Sequence, residues 1–424
     1  MTEQQDRVSL LSGYRVLDLT NEWGLYCGKI LGDFGADVIK VEPPGGDPAR
    51  NIGPFYKDTP EPNKSLYWLF NNTSKRGITL NIETTEGQEI FKRLVKTTDF
   101  VIESFQPGYM ASLGLGYRDL EKLNPRLIMT SITPFGQSGP YAHFNPSDLV
   151  LMAMGGHMFI CGDPDRAPVR PTAPQCAFVG GAHGAAGSMV AYYHRELTGE
   201  GQHVDVSIQE GCIFLLMNVT EAWDLLKLNI PRRGQSQMRA RSAKYGPIVQ
   251  KVIFQCKDGY VRAALWGGQA GTIKSCTELT RWANREGLAA ELKDYDWTKY
   301  DGSTIPQDER DRLDDAFHQF FLTKTKRELM EAAVEKALVI GPLHDAKDLS
   351  ESPHFAGREY WVNVEHPELN DVITYPGPAV RIGVAPWRIG RRAPLIGEHN
   401  RELYQDELGY APEQLVMLKA SGVI

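Results

Sequence analysis

The sequence predicts an α/β protein whose core is a doubly wound, mostly parallel sheet. Strand-like and helix-like stretches alternate from Tyr14 to about residue 208, which is typical of successive βαβ units. After a connector near residue 225, two strand-like runs (248–254 and 260–266) precede two helical stretches (271–286 and 308–338). This change of pattern indicates a second, smaller α+β region.

The first βαβ unit spans residues 14–41. An apolar run at 14–19 is followed by helical spacing at 26–34, which Gly35 ends, and then by a β-branched run at 36–41. A crossover between parallel strands is expected to be right-handed. The alternation continues with a strand at 77–81, a helix at 85–95, and strands at 100–103, 127–132 and 204–208.

Two local patterns bear on ligands and packing. The turn after the first strand, residues 20–25, lacks the Gly-x-Gly-x-x-Gly pattern, so a nicotinamide or flavin cofactor would lack its usual phosphate cradle. Residues 180–193 are rich in Gly, Ala and Ser. We expect a helix there that packs closely on its neighbours.

Composition excludes several classes of protein. The 424 residues carry a net charge of −7, so the composition lacks the excess of basic residues that is typical of nucleic-acid-binding proteins. The six cysteines are scattered without a Cys-x-x-Cys pair, which predicts reduced thiols and no metal site. No stretch reaches the roughly 18 to 20 apolar residues of a membrane span, and the N-terminus lacks a signal-peptide pattern. We therefore expect a cytoplasmic protein.

A series of short motifs resembles the class III coenzyme A transferases, the CaiB/BaiF type that includes carnitine and formyl-CoA transferases. The motifs extend over nearly the whole chain and occur in the family's order. They occupy residues 11–20, 31–43, 75–81, 103–108, 113–117, 124–128, 135–141, 168–208 and 393–400. The resemblance implies coenzyme A (CoA) as a substrate, with no metal, nicotinamide or flavin.

Ala177 stands where the resemblance places the catalytic residue. In this family an aspartate about twenty residues before the Thr-Gly-x-Gly-Gln turn, here residues 198–202, attacks the acyl-CoA thioester. An alanine methyl group has no lone pair for this attack. The chain therefore resembles a CoA-transferase that lacks its own nucleophile.

Four further positions are compared with the family's CoA site. Lys75 and Arg76 match a basic pair near the nucleotide. Trp23 lies in a segment where many relatives carry small residues, and Gln106 replaces an arginine that would pair with CoA phosphates. We expect these departures to weaken CoA binding in this chain.

Other side chains could replace the missing aspartate. Cys176 is adjacent, but no His or Lys at a recognisable spacing would lower the pKa of its thiol. His157 and His183 could transfer protons in a racemase-like site, although its carboxylate partner would again be missing. Asp148 is interpreted as a helix cap or a dimer-contact carboxylate.

The resemblance also implies a domain arrangement and an assembly. Residues 1–224 form the first part of a large domain, 225–341 the connector and small domain, and 342–424 return to the large domain. Each protomer is expected to be a ring, and two rings interlock. The dimer interface should then be large and apolar.

Three hypotheses for function remain open. In the first, the chain is the non-catalytic subunit of a heteromeric CoA-transferase, such as the succinyl-CoA:benzylsuccinate enzyme of anaerobic toluene degradation, and a homologous partner supplies the aspartate. In the second, Ala177 is an engineered replacement in an active homodimer. In the third, the chain is a binding or regulatory protein. The sequence does not identify the donor or acceptor acid.

Overall fold

The computed structural model describes residues 9–239, 241–242, 244–383 and 387–424. These residues fall into two compact units. The first comprises the described parts of Met1–His157, Pro171–Met217 and His354–Ile424, and the second those of Met158–Arg170 and Asn218–Pro353. The second unit thus starts before the expected residue 225 and ends after the expected residue 341. It also includes a short segment that was expected in the large domain.

The first unit contains a six-stranded parallel sheet. Its strands are β1 (Arg15–Leu19), β2 (Asp37–Glu42), β3 (Lys75–Thr79), β4 (Phe100–Glu103), β5 (Ile128–Thr133) and β6 (Gln202–Ser207). They lie in the order β3-β2-β1-β4-β5-β6, and every neighbouring pair is parallel. This is a doubly wound order, which confirms the predicted fold class. The order reverses between β1 and β4, so a crevice is expected at their carboxyl ends.

Eight helices accompany these strands along the chain. They are α1 (Leu25–Asp33), α2 (Leu66–Asn71), α3 (Thr85–Val95), α4 (Tyr109–Ser112), α5 (Tyr117–Leu120), α6 (Asp148–Met154), α7 (Cys176–Thr198) and α8 (Ile208–Ile213). Helix α3 shows how local sequence sets a boundary, because the Thr84 side chain accepts a hydrogen bond from the Gly87 N–H and caps the helix.

Glycines allow α7 to approach its neighbours closely. A Cβ atom on Gly181 would lie 2.8 Å from Tyr26 Cβ, and one on Gly184 would lie 2.5 Å from Ile132 Cδ1. Both distances are shorter than real contacts allow, so larger residues would push α7 away from α1 and β5. The close packing expected from the small residues at 180–193 is confirmed.

The second unit mixes helices with short antiparallel strands. Its elements are α9 (Val219–Leu226), β7 (Ser236–Arg239), β8 (Ile248–Lys251), β9 (Ile253–Cys256), β10 (Gly259–Ala263), α10 (Ala270–Arg285), α11 (Gln307–Phe321), α12 (Lys326–Lys336), β11 (Ile340–Pro342) and α13 (Ala346–Ser350). The helical stretch predicted at 308–338 is two helices. Thr325 and Glu328 form a capping box that starts α12.

The C-terminal segment completes the first unit. After α14 (Pro353–Gly357), the strands β12 (Trp361–His366) and β13 (Asp371–Pro376) form an antiparallel hairpin. A π-helical turn at Arg401–Glu407 and α15 (Pro412–Ala420) follow. The buried side chains of Leu403, Tyr404 and Val423 belong to the same hydrophobic core as the strands of the sheet. The end of the chain therefore stabilises the first unit.

Candidate functional site

Ala177 lies in the first turn of α7, and its side chain is nearly buried (7% exposed). The backbone N–H groups of Gln175 and Cys176 donate to Asp148 Oδ1 at 3.0 and 2.9 Å. This contact agrees with the interpretation of Asp148 as a helix cap. A helix N-terminus favours negative charge, so a carboxylate at position 177 would be well placed. The methyl group there offers no charge and no lone pair.

An aromatic cluster holds the residue after Ala177. The ring centroid of Phe178 lies 5.2 Å from that of Tyr26, 6.0 Å from that of Phe70 and 6.5 Å from that of Tyr67. These distances are typical of packed aromatic pairs. The first turn of α7 is therefore fixed by apolar packing on one side and by the Asp148 cap at its end.

Cys176 is a poor substitute for the missing nucleophile. Its side chain is fully buried, and its thiol donates to the Asp148 carbonyl oxygen at 3.7 Å. Its Sγ atom also contacts the Cys212 Sγ atom at 3.6 Å. Contact with Cys212 and burial both raise the pKa of the Cys176 thiol far above its ordinary value. The thiolate needed for acyl transfer is thus disfavoured.

The two candidate histidines do not form an acid–base pair with a carboxylate among the described contacts. His183 lies on the exposed side of α7, where its ring centroid is 5.6 Å from that of Phe214. His157 is half-buried, and its Nδ1 atom has no hydrogen-bond partner among the described residues. These surroundings give no support to a racemase-like site.

Lys75 is part of a buried ion-pair network. Its ammonium group donates to Asp18 Oδ2 at 2.7 Å, to the Leu25 carbonyl oxygen at 2.8 Å and to Asn72 Oδ1 at 2.9 Å. Burial opposes ionisation of Asp18, but the charges of Lys75 and Lys40 outweigh burial and lower the pKa of that carboxyl. All three N–H donors of the Lys75 ammonium group have acceptors within the protein, so this group stabilises the fold.

Arg76 is likewise engaged within the protein. Its guanidinium donates to both Asp37 oxygens, at 2.9 and 2.6 Å, and to Glu402 and Glu407, at 2.9 and 2.5 Å. Arg76 and Lys75 begin β3, whereas ligands of doubly wound sheets bind beyond the carboxyl ends of the strands. Both residues therefore have protein carboxylates as partners, and the CoA contact implied by the motif stays a prediction.

A cavity of about 470 Å³ lies at the carboxyl ends of β1 to β4. Its lining consists of Leu19, Asn21, Val41, Glu42, Pro43, Pro44, Asp47, Pro48, Leu80, Asn81, Ile82, Glu83, Phe105, Tyr109 and Gly422. The charged side chains in this lining, Glu42, Asp47 and Glu83, are all acidic. Glu42 pairs with Arg50 at 2.6 Å and Asp47 with Lys40 at 3.2 Å. Among the described residues, the lining therefore offers no free cation to a phosphate group.

Trp23 and Gln106 occupy different surroundings. The Trp23 side chain is buried (8% exposed) and is not among the residues that line the 470 Å³ cavity. Gln106 is exposed and lines a second cavity of about 440 Å³. The charged side chains that line the 470 Å³ cavity are acidic, and Trp23 does not line it.

The second cavity contains polar groups that were not singled out from the sequence as candidate site residues. Glu103, at the end of β4, is buried (3% exposed) and accepts from the Phe105 N–H at 2.7 Å. Ser131 Oγ lies 2.8 Å from His203 Nε2, and all three side chains line the cavity. Burial raises the pKa of Glu103 to about 7. Glu103 begins the motif at 103–108 and ends a strand otherwise made of Phe100-Val-Ile, but neither signal shows that its carboxyl group is buried.

Replacing Glu103 by glutamine should flatten the pH dependence of stability. Between the ordinary value of 4.5 and the folded value of about 7, the folded protein keeps a proton that the unfolded chain releases. Stability should therefore fall as pH rises through this window, by roughly 3 kcal/mol. Urea unfolding at about pH 5 and about pH 8 measures the difference. Glu121→Gln, at a more exposed carboxylate, is the control, and an equal flattening by both variants would contradict the assignment.

Two other types of site are absent from the described ranges. No group of three or more His, Cys, Asp or Glu side chains there could hold a metal ion. No helix there is long and apolar enough to cross a membrane.

The chain belongs to CoA-transferase family III. The model of this family matches residues 11–400, which is nearly the whole sequence. The doubly wound sheet and the motif order agree with this assignment, and the predicted resemblance is confirmed.

Individual relatives are similar over nearly their full length. The BbsE subunit of succinyl-CoA:(R)-benzylsuccinate CoA-transferase from Thauera aromatica is 36% identical over 97% of this chain and 98% of its own. Succinyl-CoA–D-citramalate CoA-transferase from Chloroflexus aurantiacus is 34% identical over 95% of this chain and 94% of its own. The crystal structure of a CaiB/BaiF family protein from Brucella suis superposes with a TM-score of 0.77 at 27% identity, covering 94% of this chain and 99% of that one.

Proposed function

We propose that this chain is the non-catalytic subunit of a heteromeric class III CoA-transferase. A homologous partner chain supplies the aspartate that attacks the acyl-CoA thioester, releases CoA thiolate and holds the acyl group as a mixed anhydride. The observation that carries the proposal is Ala177, which occupies the first turn of α7 where the family motif places the nucleophile. Cys176 does not replace it, because its thiol is buried and its pKa is raised.

The 470 Å³ cavity supports a non-catalytic role. The phosphates of CoA require cations or free backbone donors, and the described lining contains acidic side chains without Lys or Arg. Lys75 and Arg76, the cations that the motif suggested, begin β3 and are occupied by carboxylates. The residues present therefore do not fit the nucleotide part of CoA.

The substrates are proposed from the relatives. Both curated relatives named above use succinyl-CoA according to their names, and one of them is a subunit of a benzylsuccinate enzyme. We propose succinyl-CoA as the donor and a dicarboxylic acid such as benzylsuccinate as the acceptor, in anaerobic breakdown of aromatic compounds. Coupled assays of the two-chain enzyme with benzylsuccinate, citramalate and malate would rank the acceptors.

Exposed apolar side chains support assembly with another chain. Val190, Tyr193 and Leu197 follow one another at helical spacing on α7 and are each about 70% exposed. Phe214 and Met217, just after α8, are more exposed still. Large exposed apolar side chains on neighbouring elements are typical of protein interfaces. We propose that this face contacts the homologous partner in an interlocked-ring heterodimer.

Two alternatives make different predictions. If Ala177 were an engineered replacement in an active homodimer, the remaining CoA site should be intact. Its acidic lining and the glutamine at position 106 argue against that. If the chain were a binding or regulatory protein, no partner would gain CoA-transferase activity from it. Activity measurements on the chain with and without its partner, and on the Ala177→Asp chain alone, distinguish the three hypotheses.

The isolated chain should bind CoA weakly. Because the cavity offers no free cation, we expect a Kd above about 1 mM by isothermal titration calorimetry. The two-chain enzyme is the positive control and should bind one CoA per heterodimer. Glu83→Lys, which reverses the charge of a lining residue, should strengthen binding by the isolated chain. One tight CoA site in the unmodified isolated chain would contradict the proposal.

A further inference from the structure

Cys176 and Cys212 form a close pair of buried thiols beside Ala177. Cys176 begins α7 and Cys212 lies in α8, and their Sγ atoms are 3.6 Å apart. Both side chains are buried, with exposures of 0% and 2%. The other four cysteines, all in described ranges, make no sulfur–sulfur contact. The pair is therefore distinct from the remaining thiols.

The two sulfur atoms lie near enough for a disulfide to form after a small movement. An S–S bond is about 2.0 Å long, so the sulfurs at 3.6 Å need to approach by roughly 1.6 Å. Contact with Cys176 lowers the pKa of the Cys212 thiol. Cys212 is thus the better placed of the two to react as a thiolate.

We propose that Cys176 and Cys212 are a modification site that a hydroperoxide converts to an intramolecular disulfide. The Cys212 thiolate attacks the peroxide, becomes a sulfenic acid and releases the alcohol or water. The Cys176 thiol then attacks the sulfenic sulfur and releases water. Two thiols and one hydroperoxide give one disulfide, one alcohol or water, and one further water, so the two electrons lost by sulfur reduce the peroxide.

The bond would fix the turn that carries Ala177. Cys176 immediately precedes Ala177, and its N–H group is held by Asp148. A link to Cys212 would tie this turn to α8 as well as to α6. The inference does not depend on the source of the nucleophile, because it concerns only the thiols of this chain.

Thiol counting on the full chain tests the proposal. The native protein is treated with hydrogen peroxide, unfolded, alkylated with N-ethylmaleimide and analysed by mass spectrometry. We expect two of the six thiols to be lost, a cross-linked peptide that joins residues 176 and 212, and full recovery with dithiothreitol. The oxidised protein should also melt at a higher temperature than the reduced protein, because the bond restricts the unfolded chain.

Matched variants complete the experiment. Cys176→Ala and Cys212→Ala should each abolish the cross-link, whereas Cys256→Ser, at a buried thiol of the second unit, should retain it. Peptide mapping of the unmodified chain gives the answer even if a variant fails to fold. Six thiols still free after methionines have been oxidised would overturn the proposal. So would sulfinic acid at either cysteine without a cross-link, or a disulfide between other cysteines.

Discussion

Purified alone, this chain should show no CoA-transferase activity with succinyl-CoA or any other acyl-CoA donor. The methyl group of Ala177 cannot accept an acyl group, and the buried Cys176 thiol is held protonated. Addition of the proposed homologous partner chain should restore turnover by roughly 10⁴-fold or more, because loss of a covalent nucleophile costs at least that much. A coupled assay of free CoA and new thioester measures turnover by the isolated chain and by the two chains together.

Variants in the two chains should have opposite consequences. Replacing the nucleophilic aspartate of the partner by alanine should abolish turnover. Ala177→Asp in this chain should leave the rate of the two-chain enzyme nearly unchanged, and so should Ala182→Asp, a control at an exposed position of α7. Strong activity of the Ala177→Asp chain by itself would contradict the proposal that this chain is a non-catalytic subunit. It would favour an engineered replacement at Ala177.

Removal of the Lys75 charge should lower the stability of the fold strongly and should change the binding of CoA thioesters little. In Lys75→Met the Asp18 carboxylate loses its ion pair at 2.7 Å while fully buried, which should cost about 3 to 5 kcal/mol of unfolding free energy. Lys57→Met is the control, because that side chain is 71% exposed and solvent screens its pair with Asp371. Urea unfolding measures both changes.

The same pair of variants separates a structural role from a role in binding. If Lys75 serves the fold, the KM of the two-chain enzyme for succinyl-CoA should be unchanged at a temperature where Lys75→Met remains folded. A large rise in that KM with little loss of stability would instead place Lys75 in the CoA site.

Sequence periodicity located most of the large domain. The helix predicted at 85–95 and the strand predicted at 100–103 coincide with α3 and β4, and the other strands of the sheet shift by only one or two residues. These elements are buried in one core, so burial imposes a clear apolar pattern on them. The break between α11 and α12 was missed because Thr325 and Glu328 form a cap that periodicity does not register.

The site was less predictable than the fold. Motif order located Ala177 and the structure puts it in the first turn of α7, but a motif does not reveal the partners of a charge. Lys75 and Arg76 therefore looked available for a nucleotide, although distant residues such as Asp18 and Glu407 neutralise them. The carboxylate Glu103 was missed for the same reason, since its pKa depends on burial by elements far apart in sequence.

We expect acyl transfer to pass through the partner chain and not through this one. The two-chain enzyme can be incubated with succinyl-CoA and quenched with hydroxylamine, which converts an acylated aspartate to a hydroxamate, before the intact mass of each chain is measured. We expect the hydroxamate on the partner's nucleophilic aspartate alone, with this chain unmodified. A substrate-dependent adduct on this chain, at Cys176 or any carboxylate, would contradict the account.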